Sequence, residues 1–152
     1  MTAIEGAEDR LLTFEVAGAL YALPIASVLE VAELAQTACI PTLPTRIGGV
    51  INYHGDALPV VSCSSLLELD DAALGEPRNI LVIAGPDGES ARLGVPIDRV
   101  LGLVDGAAPS RPGAKPVAEL RSIDGRVASV LDPRRLLSQA RSAIESSLGR
   151  RD

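Results

Sequence analysis

Large rings are nearly absent from this chain: of 152 residues one is Phe, two are Tyr and none is Trp. A core must therefore be assembled from Val, Ile, Leu and Ala around Phe14, Tyr21 and Tyr53. Lysine occurs once, at Lys115, and the formal net charge is −6. No basic stripe runs through the body of the chain, which excludes a nucleic-acid footprint. Arginines gather only near the end, at Arg134, Arg135, Arg141, Arg150 and Arg151, interleaved with Glu145 and Asp152 and without stacking aromatics. They read as a solvated helix face, not an RNA or lipid site. Cysteine is scarce too: Cys39 and Cys63 stand apart, neither in a CxxC pair, and His54 is the only histidine. That donor set is too small for a zinc site and fits two buried thiols in a reducing compartment. Neither metal nor cofactor is expected. No apolar run approaches the roughly 20 residues needed to span a bilayer. Met1 to Arg10 carries Glu5, Glu8 and Asp9 and lacks the basic start and apolar stretch of a secretory signal. A cytoplasmic protein with a flexible acidic N-terminus over residues 1–9 is the expectation.

What the chain does have is apolar bulk, 47% of its residues, and an internal repeat. That length suits one compact domain or two very small subdomains sharing a core. Residues 22–31, Ala-Leu-Pro-Ile-Ala-Ser-Val-Leu-Glu-Val, align with residues 94–103, Gly-Val-Pro-Ile-Asp-Arg-Val-Leu-Gly-Leu. Pro24/Pro96, Ile25/Ile97, Val28/Val100 and Leu29/Leu101 are identities at an offset of 72. Each copy follows a strand-like run and a Gly-containing turn, Ala17-Gly18-Ala19 in one and Pro86-Asp87-Gly88 in the other. A second pair repeats at an offset of 70: Gly55, Val60, Leu66 and Leu67 with Gly125, Val130, Leu136 and Leu137. His54-Gly55-Asp56 and Asp124-Gly125-Arg126 both read as tight hairpin turns that require positive φ. Two halves of similar structure follow, each of four or five short strands. Turn residues every 8–12 positions favour small antiparallel barrels over βαβ units.

Pro24 and Pro96 stand where a short helical turn would begin, with Ile and Val three apart facing inward. A longer helix closes the chain, with Asp132 as its cap and Pro133 in its first turn. Leu137, Ala140, Ile144 and Leu148 form its apolar stripe, which should pack on the barrels. Residues 68–79 and the Pro- and Gly-rich 105–118 read as linkers.

Catalytic chemistry is hard to place. His54 has Asp56 two residues on, but Ser62, Cys63, Ser64 and Ser65 lie in no nucleophile elbow, and Gly-x-Ser-x-Gly does not occur. Glu68, Asp70 and Asp71 lack the calcium-loop pattern. Gly48-Gly49 precedes a strand instead of opening a helix, so no phosphate cradle is formed. A chain of this kind works through its surface.

The residues that remain resemble CheW-like domains over about 10–140. Leu12–Val16, Tyr21-Ala22-Leu23-Pro24-Ile25 with Val28, Glu30 and Val31, and Leu43-Pro44 leading to Gly49-Val50-Ile51-Asn52-Tyr53-His54-Gly55 carry the likeness. So do Leu58-Pro59-Val60-Val61, the Gly-x-x-x-Asp-x-Val pattern at Gly94, Asp98 and Val100, and Gly125-Arg126-Val127 to Leu131-Asp132 with Leu136-Leu137. The resemblance implies a mainly β fold of two pseudo-symmetric five-stranded SH3-like barrels sharing a core, plus a C-terminal helix. The CheW-like domain is expected over 10–147, with one barrel roughly 20–85, the other 10–19 plus 86–147, and a tail at 148–152. It also implies a non-enzymatic adaptor in chemotaxis signalling, recruited to membrane receptor arrays. Its partners would be the regulatory domain of a CheA-type histidine kinase and the cytoplasmic tip of methyl-accepting chemoreceptors, whose helices dock in the groove between the subdomains.

By the same resemblance, Val28 and Glu30 fall where the family places partner-sensitive residues. His54, before Gly55, stands where the family usually has Arg, so its Glu–Arg pair would here be Glu30–His54. His is mostly neutral near pH 7 where Arg is always charged. Ser62 replaces the usual Asp. These departures point to a divergent paralogue. Ile80, Val82, Gly94 and Val95 are the candidates for a kinase-facing surface, although alternating strand residues are core by default. Two other readings stay open: a regulator that binds the kinase alone, and a small enzyme or ligand sensor.

Overall fold

A computed structural model describes residues 10–33, 39–40, 48–70, 72, 74–105, 110–112, 117–123 and 125–149. The acidic residues 1–9, most of the 105–118 linker and residues 150–152 lie outside these. Strands β1 (Arg10–Val16) and β2 (Ala19–Pro24) form a hairpin, followed by a 3-10 turn at Ile25–Ser27 and by β3 (Val28–Glu33). Next come β4 (Cys39–Ile40), β5 (Gly48–Tyr53), β6 (Asp56–Val61) and the single-turn helix α1 (Cys63–Leu66). The second half runs β7 (Asn79–Ala84), β8 (Ala91–Ile97), β9 (Arg99–Asp105), β10 (Ser110–Pro112), β11 (Val117–Ile123), β12 (Arg126–Leu131) and α2 (Pro133–Gly149). No helix among the described residues is long and apolar enough to cross a membrane.

Two sheets result, ordered β10-β11-β12-β2-β1-β9 and β3-β7-β8-β6-β5-β4. Each has five full strands, and a strand of two or three residues sits at one edge. The orders superimpose strand for strand: β1, β2 and β9–β12 in barrel A correspond to β7, β8 and β3–β6 in barrel B. Each barrel has one parallel pair, β12 with β2 and β6 with β8, at the same place in the order. The repeat read from the sequence is therefore a repeat in space. Segments 22–31 and 94–103 lie on β2–β3 and β8–β9. Gly55 and Gly125 sit in the equivalent β5–β6 and β11–β12 turns.

The strands divide differently from the expected boundaries. Barrel A takes residues 10–24 with 99–131, and barrel B takes 28–61 with 79–97. The hairpin is the unit that stays together: β1 and β2 pair along their full length through the two-residue Ala17-Gly18 turn, so Leu20–Pro24 cannot be assigned away from β1. Likewise β8 stays with β7. Each half thus lends its first hairpin to the barrel built by the other half.

Alternation along the lent hairpins fills three cores. Leu11, Ala22 and Val130, with Leu20, Ile123 and Ala128, fill barrel A. Ile51, Leu58, Val60, Ile80 and Val82 fill barrel B. The opposite faces of the same hairpins (Leu12, Phe14, Tyr21 and Leu23 from one, Leu81, Ile83, Leu93 and Val95 from the other) meet in a third, larger core. Leu66, Leu136 and Ala140 of the helices close it. The buried line of α2 runs through Leu136 and Ala140. Leu137 and Ile144, expected at its centre, pack on the core only partly and sit at its margin. The Leu148 side chain lies outside the described residues.

Turn and cap chemistry follows the sequence closely. Ala17 and Gly18 both take positive φ (54° and 79°), as do His54 and Gly55 (51° and 89°), giving two-residue turns whose twist suits the flanking strands. The Ala17 amide donates to Asp98 Oδ2 at 3.0 Å, so the Asp of the Gly-x-x-x-Asp-x-Val pattern anchors the opposite hairpin. Asp132 accepts from the Arg134 amide at the start of α2, and Ser62 accepts from the Ser64 amide at the start of α1. Ser62 and Asp132 are repeat equivalents, and Ser caps as well as Asp. The Pro-Ile turn forms at Pro24, whereas Pro96 continues β8 to a bend at Asp98. Glu15 binds the side chains of Arg99 and Arg126 at 3.0 Å each, joining β1, β9 and β12.

Cys63 is buried, donates its S–H to the Pro96 carbonyl at 3.2 Å, and has its pKa pushed up to about 12 by burial and then by Asp98. Because the unfolded thiol titrates near 9.0, the unfolded chain loses this proton first. The contribution is intact below pH 9 and fades as pH rises toward 12. In a Cys39→Ser background, Ellman's reagent at pH 8 should label the folded protein only at its unfolding rate. Reaction within seconds without denaturant would show that Cys63 is accessible.

Candidate functional site

Barrel B's order leaves β3 at one end and β5 beside the other. Rolling the sheet brings those ends together, and the seam is closed by side chains. Leu29 of β3 and Tyr53 of β5 pack on the same cluster around Ile51 and Ile80. Above them the Tyr53 hydroxyl donates to Glu30 Oε1 at 3.0 Å. The hairpin turn then places His54 Nε2 at 3.6 Å from the same oxygen, with its ring edge-on to Tyr53 at 4.3 Å between centroids. Loss of water around the Tyr53 hydroxyl and then its bond to Glu30 raise the Tyr53 pKa, so it remains a donor at neutral pH.

Glu30 and His54 thus come together as expected, and Tyr53 is the member that sequence reasoning missed. It is the closer partner. The signal was present: one of only three large rings lies immediately before the turn, but as a large ring it is counted with the core. His54 contributes less, because both side chains are well exposed (74% and 45%) and the pair is ionic only when His54 is protonated. Gly55 donates its amide to Asn52 Oδ1 at 2.9 Å and shapes the turn. Val28 is half-buried, packed on the shared core.

The equivalent edge of barrel A is β9. Val100, the repeat partner of Val28, packs on the same shared core, so the two edge strands flank it from either barrel. Leu101 and Leu103 are 43% and 48% exposed, as is Val31 on β3 at 38%. The run Val100–Val104 is apolar throughout. Its edge position leaves alternate leucines in solvent. Exposed aliphatics thus lie on both edge strands, with Glu30 on β3 held by Tyr53.

The other four expected contact positions are corrected by burial. Ile80 and Val82 are fully buried inside barrel B, and Val95 is in the shared core. Gly94 lies against Val60 and Ile80, where an added Cβ would stand 3.0 and 3.1 Å from their methyl groups. None of these four offers a surface to a kinase; the default reading for alternating strand residues prevails. No group of three or more His, Cys, Asp or Glu among the described residues is placed to hold a metal ion. Cys63 is the opposite of an activated nucleophile, since burial keeps its thiol protonated.

Comparison with known proteins agrees with this architecture. The chain is similar to chemotaxis protein CheW of Treponema pallidum (strain Nichols), 27% identical over 101 residues, 64% of this chain. It is also similar to protein FrzA of Myxococcus xanthus, 34% identical over 96 residues, 63% of this chain. It spans 58% of the length of each of these relatives. The crystal structure of scaffolding protein TtCheW from Thermoanaerobacter tengcongensis superimposes with a TM-score of 0.66. That match covers 82% of this chain and 84% of the other at 20% identity, and it shares the fold. The CheW-like domain profile matches residues 10–141, from the start of β1 into α2 and therefore through both barrels and their exchanged hairpins: the chain belongs to the CheW-like domain family.

Proposed function

We propose that the chain is a non-enzymatic adaptor that couples the regulatory domain of a CheA-type histidine kinase to the cytoplasmic tip of methyl-accepting chemoreceptors. It would act in the cytoplasm, at membrane receptor arrays. The observation that carries this reading is the pair of edge strands flanking the shared core, β3 with Glu30 held by Tyr53 and β9 with exposed Leu101 and Leu103. Family membership and the likeness to proteins named for chemotaxis and scaffolding support it. The mechanism is binding alone: holding two partners in fixed geometry lets receptor state bias the kinase equilibrium. Receptor helices seat across the β3–β9 edges, contacting Val28, Glu30 and the His54-Gly55 turn. The kinase contact lies elsewhere than Ile80, Val82, Gly94 and Val95.

The test is a calorimetric titration against the regulatory domain of a CheA-type kinase from the same genome, repeated with a receptor-tip fragment. Saturable one-to-one binding to both supports the adaptor. Binding to the kinase alone supports a regulator outside receptor arrays, a reading motivated by His54 at the family's Arg position. Binding to neither overturns both. Glu30→Lys should weaken the receptor fragment at least about tenfold, roughly 1.4 kcal/mol, with kinase binding unchanged. His54→Arg should strengthen binding to a generic receptor tip by supplying a permanent charge beside Glu30. Equal affinity in all three proteins would remove Glu30 and His54 from the interface.

A further inference from the structure

A second surface lies apart from both edge strands. Between α2 and the β6–β8 wall runs an open cleft of about 550 Å³. Its floor is apolar, with Pro59, Leu93, Leu137 and Ile144, and Arg92, Arg134 and Arg141 stand around it. In a chain of net charge −6 this is a local reversal of sign. Arg134 and Arg141 make no ion pair with a described residue, unlike Arg135, which faces Asp132 at 3.9 Å. Arg92 lies across Gly85, its Cγ and Nε at 2.8 Å from where a Cβ would stand, and lines the cleft. Asp87 feels its charge only weakly. Glu145 is the one acid on the lining.

The shape favours an elongated occupant. Along α2 the lining runs from Arg134 to Glu145, roughly 16 Å at the rise of an α-helix. Arg134 and Arg141 are two turns apart on one side of the Leu137–Ile144 line. That spacing matches carboxylates seven residues apart on a second helix whose leucines fill the floor.

We propose that this cleft docks an acidic amphipathic helix of a partner protein, with aliphatic residues on the floor and carboxylates against Arg92, Arg134 and Arg141. No lining residue lies on β3 or β9, so the site is independent of the receptor reading above. The margin position of Leu137 and Ile144 on α2 fits this use, since their outer faces need cover that the barrels do not provide.

The probe is a synthetic amphipathic peptide of about 16 residues, leucines at a and d positions and glutamates flanking them. Fluorescence anisotropy should show saturable binding that weakens with salt. Amide NMR shifts should concentrate on α2 and β8. Arg134→Glu with Arg141→Glu should lower affinity at least tenfold, and Ile144→Ala about threefold. Arg135→Glu should leave affinity unchanged, and thermal melts would confirm that every variant is folded. No saturable binding, equal binding of the same peptide with Gln for Glu, or equal affinity in the double variant would overturn the proposal. So would binding to phosphatidylserine vesicles in place of the peptide, which would make the cleft a lipid-headgroup site.

Discussion

Phe14→Ala should cost about 3–5 kcal/mol of stability and leave a chain that still unfolds in one step. Phe14 is fully buried, stacks on Tyr21 with centroids 6.0 Å apart, and lies in the core that both barrels share. Few side chains of its volume exist elsewhere in the protein, so apart from Tyr21 itself nothing nearby is large enough to refill the hole. The Leu and Val residues around it come from both hairpins, and their β-sheet backbones resist collapse. Urea unfolding followed by far-UV circular dichroism and by tyrosine fluorescence would check this. Tyr53→Phe in the background leaves Tyr21 as the sole reporter of the shared core. Coincident curves with a lowered midpoint are the expected result. A loss below about 1 kcal/mol, or separate transitions for the two signals, would mean that the barrels are stable without their common core.

Gly94→Val should be nearly as damaging, about 2–3 kcal/mol, for the opposite reason. A Cβ there already meets Val60 and Ile80 at 3.0 and 3.1 Å, and two further methyl groups have no space. Gly94→Ala should come out milder, within about 1 kcal/mol. The crowding of one methyl is offset in part by the reduced freedom of the unfolded chain. The repeat supplies an internal control: Ala22 occupies the equivalent place in barrel A, opposite Val130 as Gly94 is opposite Val60. Barrel A accepts a methyl group at this spot. Adding Val60→Ala to Gly94→Val should recover at least about 1 kcal/mol, because the two residues compete for one volume. Strictly additive losses would place the strain in the backbone instead. Both experiments need only purified protein and denaturant, and neither depends on a partner.

Much of the fold was legible because it is written twice. Pro-Ile-x-x-Val-Leu and the two Gly turns appear at offsets of 72 and 70, and each pair occupies matching strands. Local rules also carried the cap at Asp132 and the turns at Ala17-Gly18 and His54-Gly55, whereas the equivalent cap at Ser62 emerged only from the structure. The partition of strands was not legible. Nothing within Leu20–Pro24 says that it pairs in parallel with β12, more than a hundred residues later; that contact is tertiary. The candidate site divided along the same line. Glu30 and His54 were placed by resemblance, and Tyr53 was hidden because in a chain with three large rings each one is counted as core, including the one that closes a barrel seam. Ile80, Val82, Gly94 and Val95 show the converse. Their assignment to a surface fails because both faces of the β7–β8 hairpin are buried, one in barrel B and the other in the shared core.

The exchanged hairpins have a consequence for how the protein is made. Residues 10–24 leave the ribosome well before the strands they must join, β9 and β12, which lie in residues 99–131. The hairpin therefore waits with Leu12, Phe14, Tyr21 and Leu23 unpaired with their final neighbours through most of translation. Barrel B can close once β8 has emerged, before β9 to α2 are complete, and would then present the Leu81–Ile83 face as a platform for that waiting hairpin. Arrested nascent chains in which β8 has cleared the ribosome and β9 has not should accordingly resist protease across β5–β8 while 10–24 remains cleavable.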